Sequence, residues 1–218
     1  SDRQGSVDLV GNLADPRFTS KLPDVDVVVH AAAVQYVSRD LPMLRRDAYF
    51  HENNIQATAN LCQRYAKSDV HFVNIGTSMM YRQCGAASYS TDSALEGQGV
   101  YSTSKLAAQR RIESSMSRWS TIVPCIIGGV GREGLFRGFV NSIRQRGAAI
   151  IPRSGDMPVH TVHVSDVAAL VELVVRRQAP GLYNAGAPDP LSIRQWVEVI
   201  AAQLQVSPVR ILSVPLMP

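Results

Sequence analysis

Cysteine is scarce in this chain of 218 residues, and charge is modest. Cys62, Cys84 and Cys125 are odd in number, far apart and without CxxC spacing. That argues against a disulfide framework or a zinc site. His51, His71 and His160 show no ligand spacing with Cys, Asp or Glu, so no metal site is expected. Charged residues make up 18%, below the roughly 25% of an average soluble domain. A disordered acidic or basic chain is thereby excluded. Lys and Arg number 22 against 18 for Asp and Glu, a formal net charge of +4. The excess is spread as short pairs such as Arg110-Arg111, so no nucleic-acid patch is expected. Apolar runs such as Val27–Val29 and Val123–Val130 are far shorter than the roughly 18 residues that span a bilayer. No basic and then apolar stretch opens the chain. The expected setting is soluble, reducing and cytoplasmic.

What is there alternates short apolar runs with helical periodicity. Val25–Ala33, His71–Gly76 and Thr121–Ile127 read as buried strands, the last interrupted near its end by Pro124. Asn54–Ala66 places Ile55, Ala59, Cys62 and Ala66 on one helical face. Tyr101–Met116 is free of Gly and Pro and reads as a strong helix. Phe136, Phe139, Val140 and Ile143 mark a further helix, and Asp166–Arg177 another with Ser165 as its N-cap. Gly181–Ala185 reads as a short strand. Ser192–Gln195 is a capping box opening a last apolar stripe over Val197, Ile200, Ala201 and Leu204. Strands alternating with helices predict an α/β fold with a largely parallel, doubly wound sheet of Rossmann-like type. The alternation weakens after residue 124, which predicts a smaller C-terminal lobe. Trp119 and Trp196 read as packing residues, and His30 and His163 as satisfied polar groups near strand ends.

The sharpest chemical signal is Tyr101-Ser-Thr-Ser-Lys105. A Tyr and a Lys four apart share one helix face. A free phenol has a pKa of about 10 and is a poor base near neutrality. A neighbouring ammonium favours the phenolate, so the pair can move a proton. Upstream, the His71–Gly76 strand runs into Thr77-Ser78. Hydroxyls just past the carboxyl end of a parallel strand stand where open α/β sheets bind ligands.

Taken together these motifs resemble the extended short-chain dehydrogenase/reductases of the NAD-dependent epimerase/dehydratase family. Val29–Ala33 resembles the small-residue strand end that passes the cofactor. Asn54–Leu61 resembles the family helix NVxGTxNLL, and Phe72–Tyr81 the active-site strand ending in SSxxVY. Tyr101 and Lys105 match YxxxK, and Pro124–Gly128 resembles PxxIxG. His163–Val167 resembles HVxDVA, and Tyr183–Gly186 resembles YNxG. The matches run in family order from about Leu9 to Leu204.

The resemblance implies an NAD(P)-dependent oxidoreductase or epimerase. Its action falls on a carbinol or carbonyl carbon, with a nucleotide sugar as the preferred substrate. Thr77, Tyr101 and Lys105 are its expected catalytic residues. The expected cofactor contacts are Asn12, Leu13, Ala31, Ala32, Ala33, Asn54, Ile75, Tyr101, Lys105, Pro124 and Ile127. Thr77, Ser78, Met79 and Tyr101 are expected to meet the substrate, and a homodimer is allowed. Asn54 also has a structural reading, as a capper that supports the site through hydrogen bonds. Residues 1–128 are expected to form the dinucleotide-binding domain, incomplete at its N-terminus. Residues 129–218 are expected to form mainly a substrate-binding lobe, with some segments returning to the sheet domain.

The departures narrow this reading. The family's opening strand, GxxGxxG turn and helix are not in the sequence, a gap of about 30 residues or one βαβ unit. An N-terminal truncation is the expected cause. Asn12 stands where the family often has Asp, and Val123 where it has Arg. Ser78-Met79 replaces the Asp-Glu pair of family dehydratases, which argues against dehydration by carboxylate acid/base catalysis. Asp2 could bond a ribose hydroxyl and Arg3 a 2′-phosphate, so NAD and NADP both stay open. One alternative is a reductase of small ketones, aldehydes or steroid-like alcohols. Another is a non-catalytic regulator or scaffold that retains the fold.

Overall fold

The computed structural model describes residues 8–36, 38, 40–83, 88–131 and 134–215. Asp2, Arg3 and Cys84 lie outside the described residues. In chain order, a short helix α1 (Pro16–Thr19) precedes strand β1 (Val27–His30). Helix α2 (Arg46–Phe50) then runs through a π-helical segment, His51–Gln56, into α3 (Ala57–Tyr65). Next come β2 (His71–Ile75), a 3-10 turn at Ser78–Met80, α4 (Val100–Ser115) and β3 (Trp119–Pro124). They are followed by β4 (Ile126–Gly128), α5 (Leu135–Arg146), β5 (Ala148–Pro152), β6 (Pro158–Val159) and β7 (Thr161–His163). The chain closes with α6 (Val164–Arg177), β8 (Gly181–Ala185), β9 (Leu191–Ser192), α7 (Ile193–Gln203) and β10 (Arg210–Val214).

The chain divides into two compact units. The first comprises Ser1–Val123 and Val171–Asn184. Its four-stranded sheet has the order β1-β2-β3-β8, and β1, β2 and β3 run parallel. All of β2 but Ile75 is buried, as expected of a parallel strand covered on both faces. One core cluster gathers Leu61, Cys62, Tyr65, Val70, Phe72, Ile112 and Met116, with Leu13, Val28 and Trp119 packed against it. A second joins Met80, Tyr81, Leu106 and Val123. Cys62 is fully buried, and that burial pushes its thiol up to about 11.

The second unit comprises Pro124–Leu170 and Ala185–Pro218. It contains three two-stranded sheets, with β5 and β4 parallel to β10 and β7, and β6 antiparallel to β9. Its core brings Phe139 and Ile143 of α5 against Ala149 and Ile151 of β5 and Ile193, Val197 and Ala201 of α7. Helix α5 stops at Gly147, which adopts φ 60° and donates its N–H to the Ile143 carbonyl. The Ser192–Gln195 capping box is formed on both sides. Trp196 packs on Phe136, ring centroids 4.7 Å apart.

Four local expectations need correction. The first strand is shorter than Val25–Ala33, because the polar groups of Val34 are taken by the Asn54 side chain and the chain turns away after His30. Thr121–Ile127 is not one strand. β3 ends at Pro124, Cys125 donates its N–H to Ala185, and β4 begins a new pairing with β7. Ser165 is not an N-cap, since α6 starts one residue earlier and the Ser165 hydroxyl is bonded to His163 Nδ1 at 2.7 Å. The helix expected from Asn54 onward is π-helical up to Gln56. Among the described residues, no helix is long and apolar enough to cross a membrane.

Candidate active site

The site is built where β2 ends and α4 begins. A side chain at Gly76 would force its neighbours to shift, because a Cβ there would stand 2.9 Å from Thr121 Cγ2 and 3.0 Å from Met80 Cε. The chain therefore turns tightly against β3 and presents Thr77 at the strand's carboxyl end. Thr77 is nearly buried, and its Oγ accepts the Met79 N–H at 3.3 Å as the cap of the 3-10 turn. That bond engages one lone pair, and a hydroxyl has a second lone pair and a proton. Ser78 beside it is half-buried and Met79 is exposed.

Tyr101 and Lys105 lie one turn apart near the start of α4, on the same face. Lys105 is 3% exposed, and its Nζ donates to the Ile75 carbonyl at 2.8 Å. Burial pushes the ammonium from 10.5 down to about 8. The phenol ring of Tyr101 is 5.8 Å from that of Tyr36 and 6.0 Å from Phe50, both contacts tilted or edge-on.

Asn54, on the π-helical segment, clasps the loop after β1. Its Oδ1 accepts the Val34 N–H at 2.9 Å, and its Nδ2 donates to the Val34 carbonyl at 3.2 Å. The same Nδ2 donates to Ser104 Oγ at 2.9 Å, and Ser104 donates to the Tyr101 carbonyl at 2.7 Å. Asn54 is 2% exposed, and these bonds use both its amide hydrogens. It supports the tyrosine helix from behind.

Below it, Thr58 donates to the Asn54 carbonyl at 2.6 Å, so Thr58 accepts from His30 Nε2 at 3.0 Å. That assigns the Nε2–H tautomer to His30. Burial first, and the Lys105 charge second, push its pKa from 6.5 down to about 3, so the ring is neutral.

The remaining expected residues fall in several places. Ala31 and Ala32 are exposed and Ala33 half-buried, directly after β1. Asn12 is exposed, and its Oδ1 is taken by the Ala14 N–H at 2.9 Å. Leu13 is half-buried, and its carbonyl accepts from Asn60 Nδ2 at 3.0 Å. Pro124 and Ile127 belong to the second unit. Thr77, Tyr101, Lys105, Asn54 and Ile75 are brought together by the first unit. Sequence reasoning missed Tyr36, Phe50, Thr58 and Ser104. Thr58, inside the Asn54–Leu61 helix motif, and Ser104, three residues after Tyr101, sat inside motifs that could have flagged them. Among the described residues, no three His, Cys, Asp or Glu are grouped to hold a metal ion.

The model of the NAD-dependent epimerase/dehydratase family matches residues 7–186. The chain belongs to that family. No curated protein sequence matches it. Solved structures share the fold. One is a dTDP-glucose 4,6-dehydratase, DesIV of Streptomyces venezuelae, determined with NAD bound. It is 22% identical at a TM-score of 0.81, over 94% of this chain and 66% of that one. WbmG of Bordetella bronchiseptica, in complex with NAD and UDP, is 18% identical at 0.80, over 94% and 66%. The dTDP-4-dehydrorhamnose reductase of Bacillus anthracis, with NADP, is 13% identical at 0.82, over 94% and 72%. The chain thus spans 66% of the length of the first two.

Proposed function

We propose that the chain is the greater part of an NAD(P)-dependent enzyme that oxidises or reduces a carbinol or carbonyl carbon of a nucleotide sugar. One observation carries the reading. A buried Lys105, fixed to the Ile75 carbonyl, stands one helical turn from Tyr101, and Thr77 follows two residues after Ile75. Membership of the family supports the cofactor, the NAD and NADP of the structural neighbours agree with it, and the UDP of one agrees with a nucleotide sugar.

The residues present fit one ribose and a flat ring of a dinucleotide. The Ile75 carbonyl takes one of the three donors of the Lys105 ammonium, and the others suit the vicinal hydroxyls of a ribose. Ala31 and Ala32 leave the backbone after β1 open to a flat ligand. Bound there, the cofactor supplies or accepts the hydride. Tyr101, as phenolate, takes the substrate hydroxyl proton, and in the reverse direction returns it. Lys105 places positive charge near that phenolate. Thr77 donates its hydroxyl proton to the reacting oxygen. Ser78 and Met79 carry no carboxylate, so elimination of water is not part of the proposal. We assign cofactor binding and proton transfer to the first unit and substrate binding chiefly to the second, in a cytoplasmic enzyme.

The test is turnover of the full-length protein on a panel of dTDP- and UDP-sugars with NAD⁺, NADH, NADP⁺ or NADPH. It is followed by absorbance at 340 nm and by chromatography of the sugar products. Conversion of one nucleotide sugar, abolished by Tyr101→Phe, is the expected result. If no nucleotide sugar is converted and no NAD(P) is retained, the reading is wrong.

A further inference from the structure

Helix α4 carries the proposed acid/base pair, yet it begins without a side-chain cap of its own. Its N-cap is Gly99, with φ 84°, which offers no side-chain acceptor. Tyr101 is the second residue of the helix, inside the first turn, where backbone N–H groups lack intrahelical acceptors. Its N–H is nevertheless bonded. The acceptor is the phenol oxygen of Tyr36, at 3.2 Å, from the loop after β1 and 65 positions away in sequence. Gly99 also permits the approach, since a Cβ there would stand 3.2 Å from Tyr36 Oη.

The other end of Tyr101's residue is held through the same loop. Its carbonyl accepts from Ser104, Ser104 accepts from Asn54, and Asn54 grips both backbone groups of Val34. Val34 and Tyr36 thus bracket a short segment fastened to Tyr101 at its N–H directly and at its carbonyl by relay. The ring of Tyr36 adds an edge contact to the Tyr101 ring and another to Phe50, 5.4 Å away.

We infer that Tyr36 is a positioning residue: its hydroxyl caps the catalytic helix from outside and sets the Tyr101 ring relative to Lys105 and Thr77. The inference rests on the proposed role of Tyr101. A first turn without its acceptor frays, and Tyr101 lies in that turn while Lys105 does not. Loss of the hydroxyl therefore misplaces one member of the pair against the other. Misplacement of a reacting group by about 1 Å can cost on the order of a hundredfold in rate. Tyr36 touches neither proton nor hydride here, and its effect runs through Tyr101.

Tyr36→Phe in the full-length protein isolates the hydroxyl, because the ring and its edge contacts remain. Amide hydrogen exchange at Tyr101 should quicken at least fivefold. On the nucleotide sugar that the parent converts, kcat should fall about tenfold with KM within twofold. Tyr36→Ala should lower kcat further. A merely structural hydroxyl would lower the melting temperature and leave kcat intact at a temperature where both proteins are folded, and that outcome overturns the inference. Unchanged exchange at Tyr101 overturns it too.

Failure of the functional reading is separable. If the parent converts no nucleotide sugar, the ¹³Cζ resonance of Tyr101, assigned with Tyr101→Phe, reports the position of the ring directly. In Tyr36→Phe its pH titration midpoint should then move by at least half a unit. A superimposable titration would reject Tyr36 as a positioning residue whatever the enzyme's substrate.

Discussion

The two units of this chain bury different chemistry. Every buried polar or charged side chain among the described residues lies in the first, from Thr19 to Thr121. The second is packed with Phe139, Ile143, Ala149, Ile151, Ile193, Val197 and Ala201. Buried polar groups are tolerated only when hydrogen-bonded, and a buried ammonium demands more. The first unit meets most of that demand with connected bonds, though His71 Nδ1 and Arg118 Nε have no partner among the described residues. His30, Thr58, Asn54, Ser104 and Tyr101 form one chain, and Asn74, Gln109 and Thr121 form another. Such networks fix groups in place at some cost in stability, as a site for chemistry requires. The second unit carries no comparable load, and its interior is free to be apolar. Substitutions at buried positions should therefore affect catalysis in the first unit and stability alone in the second.

The largest effect expected is on turnover. Tyr101→Phe keeps the ring, its contacts with Tyr36 and Phe50, and both backbone bonds of residue 101. Only the hydroxyl proposed to transfer the proton is lost. General acid/base groups contribute about a hundred- to ten-thousand-fold, so kcat should fall by that much while the melting temperature stays within a few degrees. Steady-state kinetics and a thermal scan check both halves. Comparable turnover in the variant would remove the chemical distinction between the units.

Next in size is a cavity in the second unit. Ile143 is fully buried between α5, β5 and α7. Ile143→Ala should cost about 2–5 kcal/mol, read as a drop in the denaturation midpoint. Its effect on kcat below the transition should be less than twofold. A large loss of kcat in a folded variant would mean that this core also shapes the chemistry.

Smaller effects come from pH and divide His30 and Lys105, two of the three buried bases of the first unit, the third being His71. His30 is held neutral down to about pH 3, while the unfolded ring takes a proton below about 6.5. Its contribution to stability is complete above pH 6.5 and is lost as pH falls from there toward 3. The slope is about 1.4 kcal/mol per unit. Lys105 acts on the alkaline side. The folded ammonium loses its proton near pH 8 and the unfolded one near 10.5, so the unfolded state holds more protons in between. Stability from this group therefore rises with pH across that window, while the charge beside Tyr101 disappears above about 8. Denaturation against pH should lose part of its acid slope in His30→Gln, since burial and then the Arg118 charge also lower the pKa of His71, and should lose its alkaline rise in Lys105→Met. Activity of the parent should fall above pH 8. Unaltered pH profiles in both variants would refute the assignment.

What could be read from the sequence follows from how local each feature is. Tyr101 and Lys105 were legible because helical spacing puts positions four apart on one face, and the Ser192–Gln195 box because both its bonds lie within four residues. Parallel strands were legible as apolar runs, but their ends were not. The end of β1 is set by Asn54, twenty positions beyond Val34, and the end of β3 by a bond from Cys125 to Ala185. Tyr36 has no motif because its partner is the amide of a residue 65 positions away. The π-helical segment is equally silent, since no residue type marks where a helix takes an extra residue per turn. Ser165 misled because it is a strong N-cap type, yet its hydroxyl finds His163 first.

The smallest expected effect belongs to that box in the second unit. Ser192 Oγ accepts the Gln195 N–H at 3.2 Å, and Gln195 Oε1 accepts the Ser192 N–H at 2.8 Å. Ser192→Ala removes the first bond and leaves the second available. An N-cap of this kind contributes about 1 kcal/mol. Helix α7 is otherwise held by Ile193, Val197 and Ala201, buried one turn apart on a single stripe, so the loss should fray only its first turn. Hydrogen exchange should quicken at Gln195, stability should drop by about 1 kcal/mol, and kcat should not change. Set beside Tyr36→Phe, the substitution sharpens the contrast between the units. Both variants remove one hydroxyl that caps the start of one helix, but α4 carries the proposed proton-transferring pair and α7 carries packing. An equal loss of kcat in the two variants would show that helix capping of any kind limits turnover. A loss confined to Tyr36→Phe would tie it to the placement of Tyr101.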